Sequence, residues 1–142
     1  MASKELLDEN LADYFIYFNP KERVSGDFYW ASKLHNGNFC LVAADSTGHG
    51  VPGAIMSMLN ISSFEKAVEA EKISLPAEIL NFTRKKIIET LAKDGSAEGG
   101  KDGMDCAFLC FDFNAGILDF ALANNPLWLI RQSQLIEFKP DK

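Results

Sequence analysis

The chain has 142 residues, 47% of them hydrophobic and 24% charged, which suits one ordinary globular domain and excludes a disordered tail. Its net charge of -6 opposes phosphate backbones and anionic lipid, so nucleic acid and membrane surfaces are not expected partners. No apolar run approaches the roughly 20 residues of a membrane span, and Met1–Glu5 lacks the apolar stretch of a secretory signal.

Residues 1–12 read as a short helical or loose lead-in. Tyr14–Phe18 is aromatic and β-branched, the composition of a strand, and Asn19-Pro20-Lys21-Glu22 breaks it. Asp27–Leu34 and Asn38–Asp45 then flank Asn36-Gly37, a strong hairpin signal. In the second run Phe39, Leu41 and Ala43 alternate with Cys40, Val42 and Ala44, so both faces are apolar and burial on both sides is expected. From Val51-Pro52 to about Glu71 the period becomes helical, with Val51, Ala54, Ile55, Met58, Leu59 and Ser62 as the inward stripe. A second helix spans Pro76–Lys93 on the stripe Ile79, Leu80, Thr83, Ile87 and Leu91. Residues 94–103 carry four Gly and read as an intradomain loop. Four strands follow: Asp105–Phe111, Ile117–Ala123, Leu127–Arg131 and Leu135–Phe138. Hairpin, two helices, then meander is an α+β order.

The three cysteines, Cys40, Cys106 and Cys110, form no CxxC pair and sit in apolar runs, as reduced core residues do. A zinc site from Cys106, Cys110 and His49 has no recognised ligand spacing and is set aside.

Two aspartates carry the chemistry. Asp27 and Asp45 lie at the open ends of the hairpin strands. A three-residue loop at 35–37 sets them opposite each other, β-carbons roughly 5 Å apart. A two-residue loop pairs Phe28 with Asp45 instead, and a bulge is then needed to bring the carboxylates together. Like charges so placed call for a proton or a cation, and hard oxygen ligands select Mg²⁺ or Mn²⁺. The competing reading is that each Asp simply solvates a strand end. After Asp45 comes Ser46-Thr47-Gly48-His49-Gly50 and a helix start, whose free N–H groups suit a phosphate. His49 reads either as a general acid near neutral pH or as a histidine holding the turn.

Ser25-Gly26-Asp27-Phe28-Tyr29, with Asp45-Ser46-Thr47-Gly48-His49-Gly50-Val51-Pro52 downstream, resembles the bacterial stage II sporulation protein E family of metal-dependent (type 2C) protein phosphatases. Asp102-Gly103-Met104-Asp105-Cys106-Ala107 and Ala123-Asn124-Asn125-Pro126-Leu127-Trp128-Leu129-Ile130-Arg131 agree, so the resemblance runs from about residue 13 to the end. It implies a β-sandwich flanked by helix pairs, in α-β-β-α layers. It also implies hydrolysis of phosphoserine or phosphothreonine by a water shared between two Mn²⁺ or Mg²⁺ ions. Carried over, Asp45 is the bridging ligand at the catalytic centre, Asp27 a second carboxylate, and Ser46 a ligand through its backbone carbonyl. Lys21 and Arg23 are candidate phosphate contacts, and Asp105 is structural or outer-shell. The implied setting is a cytoplasmic regulatory output attached to a sensor. The implied substrate is a phosphorylated regulatory protein of the anti-anti-sigma type.

The family domain continues with further strands, an Asp-Gly motif and another Asp that this sequence lacks. The expectation is therefore one partial domain over residues 1–142, with residues 1–12 as lead-in and 13–142 as the N-terminal portion of the fold. It should bind metal weakly, hydrolyse little, and pair with a second copy to cover open sheet edges. The alternative function is a phosphoprotein-binding module without turnover. A two-component receiver, also built on clustered Asp and Mg²⁺, would alternate β and α throughout, unlike the β-rich last third here.

Overall fold

A computed structural model describes residues 1–20, 22–93 and 102–140. Helix α1 spans Lys4–Asn10, capped by Ser3, whose Oγ accepts from the Leu6 N–H at 3.2 Å. Strands β1 (Asp27–Lys33) and β2 (Phe39–Ser46) form the expected hairpin. Helix α2 (Gly50–Glu65) ends in a π-helical turn, Lys66–Ala70, and α3 covers Pro76–Lys93. Strands β3 (Met104–Asp112), β4 (Ile117–Ala123), β5 (Leu127–Arg131) and β6 (Gln134–Phe138) complete the order. The sheet runs β1-β2-β3-β4, all antiparallel, with β5-β6 as a separate two-stranded ribbon. That topology removes the receiver reading, because a doubly wound receiver needs a parallel sheet.

The core follows the period-2 alternation of the strands. Phe28 and Trp30 on β1, Val42 on β2 and Phe108 on β3 point to one face. Phe64 of α2, fully buried, seals it, with ring centroids 5.5 Å from Trp30 and 5.3 Å from Phe108. From α3, Ile79 joins the same cluster. The thiols of Cys40, Cys106 and Cys110 are free, and burial pushes each up to about 12. With Cys106 and Cys110 inside the sheet and His49 exposed, the three do not form a zinc site.

Three expectations change. Tyr14–Phe18 is not a strand: Phe15 is 90% exposed and Tyr17 83%, and no strand among the described residues pairs with the segment. Aromatic composition without a hydrogen-bonding neighbour does not make a strand. The inward face of α2 is Gly53, Met56, Ser57, Asn60 and Phe64, not the predicted stripe; Val51, Ile55 and Met58 are exposed. The small and polar residues face inward because the helix runs close against the turns at Gly26 and Ser46 and makes hydrogen bonds there. Burial of β2 on both faces holds only at its Phe39 end, where Leu7 of α1 and Ala31 pack. At the other end Ala43 and Asp45 are exposed. The α3 stripe is as expected over Ile79, Thr83 and Ile87.

Candidate active site

The hairpin loop decides the carboxylate geometry. Leu34 N–H donates to the Asn38 carbonyl at 2.8 Å, which closes a three-residue loop and sets Asp27 opposite Asp45. The next pairing sets Asp45 opposite Asp105, so three aspartates run in a row across β1, β2 and β3. Asp45, in the middle, is held above the usual carboxylate range. Desolvation is the main cause, and repulsion from Asp27 and from Asp105 adds to it.

Each flanking carboxylate is oriented. Ser25 Oγ accepts from the Asp27 N–H at 2.9 Å and lies 3.2 Å from Asp27 Oδ2. Asn124 Nδ2 donates to Asp105 Oδ1 at 2.8 Å, from a residue at φ 57° in the turn after β4.

The turn after Asp45 is fixed from three sides. Ser46 is buried, and Asn60 Nδ2 of α2 donates to its Oγ at 3.0 Å. Thr47 N–H donates to the Gly103 carbonyl at 3.0 Å, and Gly103 N–H returns a bond to Thr47 Oγ1 at 2.9 Å. Ser57 Oγ lies 2.8 Å from the Gly26 carbonyl. Gly26 has to be glycine: a Cβ there would stand 2.6 Å from the Ser46 carbonyl oxygen and 2.8 Å from that of Gly48.

His49 is the N-cap residue of α2 and is largely exposed. Its Nδ1 pairs with Glu22 Oε1 at 3.2 Å. An open cleft of about 450 Å³ brings Asp27, Asp45, Ser46, His49 and Asp105 together with Glu22. Arg23 is exposed and does not line the cleft. Lys21 lies outside the described residues.

Sequence reasoning missed Glu22, Asn60 and Asn124. Glu22 was read only as part of a strand break. Asn60 gives no signal, and Asn124 shows only as part of a family-like segment, because their partners come from elements whose approach is set by tertiary packing.

For a divalent metal the donor chemistry fits in part. Asp27 and Asp45 present hard carboxylate oxygens at one edge, and the Asp45 carboxyl, raised mainly by desolvation, also carries a repulsion from Asp27 of the kind that a cation relieves. Among the described residues no three His, Cys, Asp or Glu side chains close on one point as a metal cluster.

A family model described as stage II sporulation protein E matches residues 35–142. The chain belongs to the stage II sporulation protein E family. Solved structures agree with that membership. The SiaA-PP2C domain of Pseudomonas aeruginosa superposes with a TM-score of 0.81 at 29% identity, over 96% of this chain and 53% of that one. The PP2C phosphatase domain of SpoIIE from Bacillus subtilis, with a fragment of its regulatory domain, gives 0.64 at 18%, over 85% and 33%. The RsbU and RsbW domains of a Mycobacterium tuberculosis protein give 0.61 at 17%, over 84% and 31%. At those identities the last two establish the fold alone. No curated protein matches the chain in sequence. This sporulation-E-family chain therefore has a type 2C phosphatase fold, α+β with antiparallel sheets, and spans about half the length of the SiaA domain or less of the other two. No helix among its described residues is long and apolar enough to cross a membrane.

Proposed function

We propose that the chain is the N-terminal part of a metal-dependent phosphoserine/phosphothreonine phosphatase domain that serves as a regulatory output. The observation that carries this reading is the facing pair Asp27 and Asp45, with the Asp45 carboxyl raised by desolvation and, after it, by repulsion from Asp27. Asp27, Asp45 and the Ser46 carbonyl would hold Mn²⁺ or Mg²⁺. The ions, when bound, supply an acidified water and polarise the phosphoryl oxygens. Ser25 keeps Asp27 turned to the cleft, and Asn60 with Thr47 keeps the Asp45–Gly48 turn in place. His49, oriented by Glu22, would give a proton to the departing seryl or threonyl oxygen as the P–O bond breaks, and the adjacent start of α2 offers N–H groups to the phosphate. Arg23, exposed beside the cleft segment, would meet the substrate's phosphate only on swinging inward; Lys21 is proposed for the same role.

The substrate class is a phosphorylated regulatory protein in a cytoplasmic signalling system. The Mycobacterium tuberculosis protein carries its RsbU domain together with an RsbW domain, which supports a protein partner. A phosphoprotein-binding module without turnover is the second reading, favoured by the lack of a third closing carboxylate among the described residues. The two are separated by assaying the chain with Mn²⁺ on a phosphoserine peptide. We expect slow release of phosphate that Asp45→Asn abolishes. Peptide binding with no release above the Asp45→Asn background would favour the binding module.

A further inference from the structure

A second cavity lies away from the aspartate row. It has a volume of about 620 Å³ and sits between α3, the β3–β4 pair and the end of β6. That size suits a small organic ligand. Its walls are apolar where Leu80, Ile87, Met104 and Phe120 line it. Thr83, 1% exposed, also lines it, and the Thr83 hydroxyl has no hydrogen-bond partner among the described residues. Helical threonines ordinarily bond the carbonyl one turn back, and buried hydroxyls are ordinarily satisfied, so this orphan group waits for a partner. Two cations from separate elements, Arg84 on α3 and Lys139 after β6, line the same cavity. Neither is in an ion pair among the described residues. Asp102 is the acidic residue of the lining.

We propose that this cavity binds a small amphiphilic carboxylate: an apolar body against Leu80, Ile87 and Phe120, and a carboxylate toward Arg84 and the Thr83 hydroxyl. On a chain of net charge -6, an anion gains little from the overall field, so cations at an apolar cavity mark a local site. A guanidinium presents a fork that matches a carboxylate. A cationic ligand would meet Arg84 and Lys139, and a neutral one would leave them unused.

Two walls of the cavity reach the turn after Asp45. Asn60 lines it and bonds Ser46; Gly103 lines it and bonds Thr47. An occupant therefore presses on the residues that hold that turn, whatever chemistry the turn performs.

The probe is 4-phenylbutyrate, titrated into the intact chain by calorimetry and by amide NMR, with 4-phenylbutan-1-ol as the uncharged match. We expect one saturable site with shifts centred on Asn60, Thr83 and Gly103. Arg84→Gln should weaken binding about tenfold, the scale of a lost charged hydrogen bond. Thr83→Val should weaken it while leaving the melting temperature equal or higher, which a merely structural hydroxyl would not do. Absence of saturable binding, as when a second copy or other polypeptide fills the cavity, overturns the proposal. So does equal affinity for the alcohol, equal affinity in Arg84→Gln, or shifts centred elsewhere.

Discussion

Asp45 carries a proton affinity raised mainly by desolvation, with Asp27 and Asp105 adding to it. Its folded-state value is raised, so the folded chain holds that proton more tightly than the unfolded chain does. Stability from this group is therefore greatest at low pH and falls as pH rises from the ordinary carboxylate range through the raised value. Without metal at pH 7, Asp45→Asn should raise the melting temperature, and its gain should shrink as pH is lowered toward 4. Thermal melts across that range check this; an Asn variant that melts lower at pH 7 would show that the carboxylate makes a favourable contact instead. Gly26 is constrained by backbone rather than charge. Gly26→Ala would drive a methyl into the Ser46 and Gly48 carbonyls, and overpacking of that kind costs about 1–3 kcal/mol. Denaturant unfolding would measure it, and an unchanged midpoint would mean that the turn has room to shift.

Helix α2 separates what its own sequence conveys from what its neighbours decide. Phe64→Ala should cost about 3–5 kcal/mol, since it empties the space between Trp30, Phe28 and Phe108. Ile55→Glu, 54% exposed at wild type, should change stability by no more than about 0.5 kcal/mol. Equal losses in the two variants would restore the predicted stripe to the core. The hairpin was legible because Asn36-Gly37 marks a turn between two strand-like runs, though its register was settled only by the Leu34–Asn38 bond, and α3 because Ile79, Thr83 and Ile87 recur at helical spacing. The face of α2 was not legible, because Gly53, Ser57 and Asn60 are inward for reasons of close approach and hydrogen bonding, which hydrophobic periodicity does not weigh. The place of Asp105 was hidden in the same way: 59 residue positions and two helices separate it from Asp45, and only the β2–β3 pairing aligns them.

At the scale of the whole molecule, one sheet, one helix pair and the turns between them gather the aspartate row at a single edge. The pair proposed to hold the cation, Asp27 and Asp45, was readable as two carboxylates symmetric about a turn. The supporting bonds from Asn60, Thr47 and Asn124 were not, since each joins segments far apart in sequence. The central claim is that this edge holds a divalent cation through Asp45. Calorimetric titration of Mn²⁺ into the purified chain, with Asp45→Asn alongside, tests it most directly. The account predicts weak binding, short of two ions per chain, that disappears in the variant. Binding of equal strength in both proteins, or none in either, would contradict it.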